Sequence, residues 1–155
     1  MFHIRRATTD DLEMLTSLRV ALFEQTGELA DETHAETFRE ATHTYLKWAL
    51  STEKLLAWVA ETEGQIVGTG GLILFEQAPI PLNLTGLEGY ILNMYTLPEW
   101  RGRGVATALL QEIITYARSI HLRHLWLYAT EVGRPVYEKV GFAPMMDEAM
   151  DLYLQ

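Results

Sequence analysis

The stretch Arg101-Gly102-Arg103-Gly104-Val105-Ala106 decides how this sequence is interpreted. It lies between a strand-like segment at residues 89–96 and a helical pattern at residues 105–119. Glycines let a backbone approach a ligand closely, and the unpaired N–H groups that begin the following helix point at anionic groups. Arg101 and Arg103 add two positive charges to the same turn. The stretch therefore predicts a binding site for phosphate or pyrophosphate.

Two familiar phosphate motifs fit this stretch poorly. A Walker A loop requires Gly-Lys-Ser/Thr, but Gly104 is followed by Val105 and Ala106. The dinucleotide fingerprint requires a third glycine where Thr107 stands, and an acidic residue about 20 positions further on, where residues 121–124 read His-Leu-Arg-His. On spacing alone two alternatives stay open: a nucleotide-binding domain, and an arginine-rich turn that only caps the helix.

Composition limits the remaining classes. The 155 residues contain 12 Lys+Arg and 21 Asp+Glu, a net charge of −9, which argues against a nucleic-acid partner. The absence of cysteine excludes a disulfide scaffold and a cysteine nucleophile. The five histidines show no metal-ligand spacing, so we expect no metal. Because no signal peptide or membrane span is evident, we expect a cytoplasmic protein without a membrane partner, and one domain over residues 1–155.

Apolar periodicity supplies the element order outward from the central stretch. It predicts strands at residues 2–6, 55–61, 65–75, 89–96 and 125–129, helices at 12–27, 31–50, 105–119 and 133–140, and closing strand signals at Phe142 and residues 150–154. This order indicates an α/β layout around one mixed sheet.

With its surroundings, the central stretch resembles the GCN5-related N-acetyltransferase (GNAT) family. Arg101-x-x-Gly104-x-Ala106 matches that family's Gln/Arg-x-x-Gly-x-Gly/Ala motif, and Val136-Tyr137-Glu138-Lys139-Val140-Gly141-Phe142 follows where the family has a similar segment. The resemblance implies an α/β (α+β) fold: a mixed, mostly antiparallel sheet, splayed between strands four and five, with helices on both faces.

The resemblance also implies acetyl-CoA as co-substrate. The pyrophosphate would lie on the glycine loop, and the pantetheine arm would pair with the backbone at the end of the fourth strand. The implied contacts are Met94, Tyr95, Thr96, Arg101, Gly102, Arg103, Gly104, Val105, Ala106 and Thr107. One departure is Thr130, which stands where the family often has a cofactor-binding asparagine; it could hydrogen-bond or cap the next helix, but it reaches less far.

For catalysis, the resemblance places a backbone N–H near Thr96 against the developing oxyanion and Tyr137 in the position of the general acid. The alternative for Tyr137 is a core tyrosine. Glu88 is the only carboxylate among the candidates near the fourth strand, which makes it a candidate base acting through water. The alternative for Glu88 is a solvated loop glutamate.

These observations predict an N-acetyltransferase that transfers acetyl to a primary amine of a small molecule or peptide, by direct attack in a ternary complex. The alternative is an acyl-CoA-binding sensor without turnover. The acidic balance favours cationic acceptors such as polyamines. Residues 150–154 suggest a homodimer. Candidates for the acceptor site are Phe23, Glu24, Tyr45, Trp48 and Trp58.

Overall fold

A five-stranded sheet organises residues 1–154, the part of the chain that this computed structural model describes. The strands follow one another across the sheet in chain order, and every neighbouring pair is antiparallel except β4 and β5, which are parallel. They are β1 (His3–Arg6), β2 (Leu55–Thr62), β3 (Gln65–Glu76), β4 (Leu87–Thr96) and β5 (Leu125–Trp126). The predicted mixed, mostly antiparallel sheet is confirmed.

Helices cover both faces of this sheet, as predicted. They are α1 (Leu12–Thr26), α2 (Glu32–Ser51), α3 (Val105–Ser119) and α4 (Arg134–Lys139), with short 3-10 turns at Thr9–Asp11 and Pro98–Trp100. One face buries Leu18 of α1 and Leu46 of α2 against β2. The opposite face buries Leu109 and Ile113 of α3, and α4 packs at its edge. The apolar periodicity of each helix thus matches the face that it covers.

Glycines in β3 let α3 lie close to the sheet. A Cβ atom added at Gly68 would come within 2.8 Å of Cγ1 of Val105, the first residue of α3, and one added at Gly70 within 2.6 Å of Sδ of Met94. A side chain at Gly68 would push the first turn of α3 away, and one at Gly70 would displace the flexible side chain of Met94. The sequence of β3 therefore fixes the first turn of α3 beside the end of β4.

The sheet splays between β4 and β5. Their pairing is confined to Gly89 with Leu125 and Tyr90 with Trp126, while β4 continues to Thr96. The β3–β4 register shifts between residues 69 and 71, and Asn93, in the bulge, has φ 56°. Asparagine tolerates this left-handed conformation better than most residues, which explains its presence here. The predicted splay is confirmed, and it leaves one edge of β4 open beyond Tyr90.

The predicted closing strand is wrong for the described residues. No strand forms between residues 142 and 154, and the side chains of Met150, Leu152 and Leu154 are exposed. A strand needs a neighbouring strand to pair with its backbone groups. At the splay β5 spans only Leu125–Trp126 instead of the predicted 125–129, so little of it is present for a closing strand to pair with. Phe142 instead packs edge-on against Tyr137. A homodimer through residues 150–154 stays a prediction.

No helix within residues 1–154 is both long enough and apolar enough to cross a membrane.

Candidate active site

A cavity of about 540 Å³ opens at the splay, between the end of β4, the start of α3, the last turn of α1 and α4. It brings together every predicted site residue except Glu88 and Arg103. Those that line it are Met94, Tyr95, Thr96, Arg101, Gly102, Gly104, Val105, Ala106, Thr107, Thr130 and Tyr137.

The glycine loop presents a row of unpaired main-chain donors to this cavity. The N–H groups of residues 102–107 form no hydrogen bond within residues 1–154, and the first helical bond runs from the N–H of Ala108 to the carbonyl of Gly104 at 3.0 Å. Gly102 and Gly104 adopt φ values of 72° and 82°, and a Cβ on either would meet no atom within 4 Å. The loop therefore combines open space with the positive end of a helix dipole, which suits an anion.

Arg101 braces the loop against its neighbours. Its Nε donates to the carbonyl of Thr96 at 3.0 Å, and its Nη2 donates to Oε1 of Gln25 at 2.5 Å. Its guanidinium also lies 5.5 Å from the ring centre of Tyr95. Arg101 thus joins the loop to β4 and α1 while keeping its charge at the cavity.

Arg103 lies differently from Arg101. Its guanidinium rests over the ring of Trp100 at 4.8 Å, and the side chain does not line the cavity. The structure therefore does not bring the Arg103 side chain to the predicted site, although its main-chain N–H belongs to the unpaired row.

The end of β4 offers a backbone edge. Beyond Tyr90 it pairs with β3 on one side, and within residues 1–154 no strand pairs with it on the other. Met94, Tyr95 and Thr96 lie on this open edge and line the cavity. A ligand with amide groups can extend the sheet there as an added strand.

Tyr137 lies on α4 at the opposite wall. Its ring is half-buried, and burial raises the pKa of its hydroxyl above the usual range. The hydroxyl forms no hydrogen bond with the described residues, so its proton is available to a ligand in the cavity. This environment keeps the phenol neutral at physiological pH.

Thr130 lines the cavity and also shapes the turn into α4. Its Oγ1 accepts from the N–H of Gly133 at 3.1 Å, and its carbonyl accepts from the N–H of Arg134 at 2.9 Å. These bonds shape the turn that leads into α4, whose N-cap is Gly133 and which has no side-chain cap, so Thr130 is not the capping residue. Contact of Thr130 with a cofactor stays a prediction.

Glu88 is neither in a loop nor solvated. It lies in β4 with 1% of its surface exposed; Oε1 accepts from Nδ2 of Asn83 at 2.9 Å, and Oε2 lies 2.5 Å from Nδ1 of His124. Burial raises its pKa, but the hydrogen bonds from Asn83 and His124 outweigh this and leave the pKa below its usual range. Glu88 also lies far from the cavity: it precedes Asn93 by five positions, about 17 Å along a strand, and the β4 residues that line the cavity begin after Asn93. These contacts favour a structural role over a base.

Several cavity residues were not predicted as site residues, although Val136 and Lys139 lie in the segment that carries the family resemblance. They come from the last turns of α1 and from the segments around the loop and α4: Leu22, Gln25, Thr26, Trp100, Val132, Gly133, Pro135, Val136 and Lys139. Leu22 belongs to the amphipathic face of α1, which is equally a packing surface, so the pattern alone did not assign Leu22 to a site.

The predicted acceptor residues divide between the two faces of the sheet. Trp58 is 4% exposed and packs under α3, on the face opposite α1 and α2, so its assignment is wrong. Phe23 packs on Phe38 at 4.9 Å, on the α1–α2 face. Tyr45 and Trp48 lie on α2 with rings 5.9 Å apart and partly exposed.

Within residues 1–154 no group of three or more His, Cys, Asp or Glu side chains is arranged to hold a metal ion.

A splayed mixed sheet with a donor-rich glycine turn at the splay defines an acyltransferase of the GNAT type, and sequence comparison gives the same result. The model of the Acetyltransferase (GNAT) family matches residues 23–142, and the chain belongs to this family. Members of this family are acetyltransferases that use acetyl-CoA as co-substrate, and the protein is therefore an acetyltransferase.

Individual relatives agree. A protein of Archaeoglobus fulgidus called an uncharacterized N-acetyltransferase is 30% identical over 151 residues, which cover 93% of this chain and 90% of the relative. YjgM of Escherichia coli, also called an uncharacterized N-acetyltransferase, is 36% identical over 91 residues, covering 55% and 49%. A predicted acetyltransferase of Clostridium acetobutylicum, solved with acetyl-CoA, is 32% identical with a TM-score of 0.87, over 99% of this chain and 96% of that one.

The glycine loop gives a first testable prediction. Gly104→Ala should weaken binding of coenzyme A at least about tenfold, because a side chain at φ 82° strains the turn that holds the N–H row in place. Isothermal titration calorimetry measures this change.

Gly64→Ala is the matched control. Gly64 has φ 78° and equally open surroundings, but it lies in the turn between β2 and β3. Both substitutions should lower the free energy of unfolding by about 1 kcal/mol. Equal coenzyme A affinity in the two variants would contradict a ligand on the loop.

Glu88 gives a second prediction. Glu88→Gln should leave kcat little changed and lower the free energy of unfolding by about 1–3 kcal/mol, because a neutral amide replaces the buried carboxylate that contacts Asn83 and His124. Since the pKa of Glu88 is lowered in the fold, its contribution is present above the unfolded pKa and is lost as pH falls through the folded pKa.

Urea unfolding at several pH values, with steady-state kinetics in parallel, checks both parts. A large fall in kcat, with the acidic limb of the pH profile removed and stability unchanged, would restore Glu88 as the base.

Proposed function

We propose that this protein transfers the acetyl group of acetyl-CoA to a primary amine of a small molecule or peptide, by direct attack in a ternary complex. The observation that carries the proposal is the unpaired N–H row at residues 102–107 beside the open edge of β4. The row suits the pyrophosphate and the edge suits the amides of the pantetheine arm. The cavity also extends to α1, and we assign the end of the cavity away from the glycine loop to the acceptor.

Bound acetyl-CoA supplies a thioester carbonyl: the amine nitrogen bonds to its carbon, the carbon–sulfur bond breaks, the nitrogen loses a proton and the sulfur gains one. In this proposal a main-chain N–H near Thr96 donates to the carbonyl oxygen as negative charge develops there. Fixed donors at such a position contribute more than solvent does, because they need no reorganisation during the reaction.

Tyr137 is proposed as the group that protonates the sulfur. A phenol ordinarily titrates near pKa 10 and a thiol near 8.5, so complete transfer to a free thiolate costs roughly 2 kcal/mol. Burial raises the pKa of Tyr137 and increases that cost. The neutral hydroxyl is therefore suited to a hydrogen bond that strengthens as the sulfur becomes negative, with the proton transferred late.

A thiol-release assay tests the function as a whole. The protein is mixed with acetyl-CoA and a panel of amines that includes amino acids, polyamines, aminoglycosides and peptide N-termini, and the products are identified by mass spectrometry. We expect amine-dependent thiol release with a matching N-acetylated product. Slow release that no amine accelerates would favour the acyl-CoA-binding module without turnover.

Substitution of the proposed acid is the sharper test of mechanism. Tyr137→Phe should lower kcat well over tenfold, within the range of about 10²–10⁴ that general acids contribute, with little change in the KM for acetyl-CoA. Tyr116→Phe is the control, since Tyr116 is also half-buried and edge-on to an aromatic ring, Trp58, yet lies away from the cavity. A kcat for Tyr137→Phe equal to that of the control at saturating substrates would remove Tyr137 from the mechanism.

A further inference from the structure

Arg19 of α1 is held beside the bulge of β4. One of its terminal nitrogens, Nη1, donates to Oδ1 of Asn93, the bulge residue with positive φ. Its guanidinium also lies over two aromatic rings, 4.9 Å from the centre of Phe23 and 5.7 Å from that of Phe38. These contacts fix a positive charge in a half-buried place next to the cavity's β4 wall.

No carboxylate within residues 1–154 pairs with this charge. The contrast is Arg5, also half-buried, which binds Asp11 at 2.9 Å and Glu61 at 2.6 Å. A guanidinium has five N–H donors, and Arg19 uses one of them on a neutral amide. Desolvation lowers the pKa of Arg19, and the phenols of Tyr90 and Tyr45 offset this only in part. A half-buried guanidinium in this state is suited to an anionic partner from outside the chain.

The position of Arg19 connects it with the acceptor end of the cavity. Leu22, one helical turn further along α1, lines the cavity, and Gln25 one turn beyond that contacts the glycine loop through Arg101. Asn93 directly precedes Met94, the first residue of the open β4 edge that lines the cavity. Arg19 does not itself line the cavity; it lies just beyond the end of the α1–β4 wall that is opposite the glycine loop.

An aromatic cluster continues this wall. The ring of Tyr90 stacks on Trp126 at 4.5 Å, and Tyr128 packs edge-on against both. Tyr90 is close enough to Arg19 for each group to affect the pKa of the other. Tyr128 is 68% exposed, so the cluster has an open apolar surface beside the guanidinium. An acceptor that binds Arg19 can place an apolar body there.

We propose that Arg19 binds an anionic group of the acceptor, a carboxylate or a phosphate, and so selects amines that carry their own negative charge. The inference rests on the proposed function, because it assigns the specificity of the same site. It also reverses the expectation from composition: the net charge of −9 favours cations at long range, but a single desolvated guanidinium at the site decides what binds there.

Matched acceptor pairs test the assignment. One set compares amino acids with their carboxamides, and the other compares phosphorylated amino alcohols with the parent amino alcohols. The amines of the carboxamides are less basic, so a larger fraction of them is unprotonated and able to attack. A preference for the acids therefore cannot come from amine ionisation. The wild type should prefer the anionic member of one set at least about tenfold in kcat/KM. The set that shows the preference distinguishes carboxylate from phosphate.

Variants of Arg19 connect that preference to the guanidinium. Arg19→Gln should reduce the ratio of kcat/KM within each pair to near one, and Arg19→Lys should retain part of it, because a point charge remains. The control is Arg39→Gln on α2, where a half-buried arginine donates to Ser17 of α1 at 3.2 Å; its ratio should match the wild type. Coenzyme A affinity, measured by calorimetry, separates loss of specificity from distortion of the bulge.

The outcomes are distinct. Neutral members acetylated as well as anionic ones by the wild type would overturn the assignment of Arg19 and leave the proposed function intact. If Arg19→Gln lowers kcat/KM equally for both members of a pair and also weakens coenzyme A binding, Arg19 is a structural support of Asn93, and the assignment is overturned. Failure of the wild type to acetylate any member of any pair would overturn the proposed function, and the assignment with it.

Discussion

The unpaired N–H groups of residues 102–107 are the feature on which the rest of this site depends. Main-chain donors are costly to leave without a partner, so a row of them facing a cavity requires either water or an anion. Gly102 and Gly104 permit the row because their positive φ values turn the donors in one direction. Glycines in β3 then fix the helix that follows the row against the sheet. An acidic protein can thereby offer a local anion site without a large basic surface, and we propose that a diphosphate binds there.

The splay of the sheet turns this anion site into a site for a long ligand. If β5 paired with β4 as far as Thr96, the edge beside the glycine loop would be covered. The bulge at Asn93 redirects β4, and the short β5 ends at Trp126. The same distortion brings Asn93 to Arg19, so the device that opens the cofactor edge also positions the charge that we assign to the acceptor.

Local sequence predicted those parts of the structure that depend on local chemistry. The turn before α3 requires glycine and the helix requires apolar residues at its own period, and each could be read from its own segment. The family resemblance added the splay, which no local pattern around Asn93 indicates. The bounds of α3 agree with the prediction for the same reason, since a strong period and two glycines define them.

What the sequence could not provide depends on contacts between distant residues. The burial of Glu88 follows from Asn83 and His124, and the latter lies 36 positions away. The alternating apolar residues at 150–154 resemble a strand, but a strand requires a neighbour, and the length of β5 was not readable. No sequence pattern singles out Arg19, because only the fold shows that no carboxylate of the described residues lies beside it.

The most direct test of this account is a titration of the ¹⁵N-labelled protein with coenzyme A, followed through the main-chain amide signals. We expect the largest shifts on residues 102–107 and smaller ones at Met94, Tyr95 and Thr96, and we expect inorganic pyrophosphate alone to reproduce the first group. Shifts confined to other surfaces, with the amides of residues 102–107 unmoved at saturation, would contradict it.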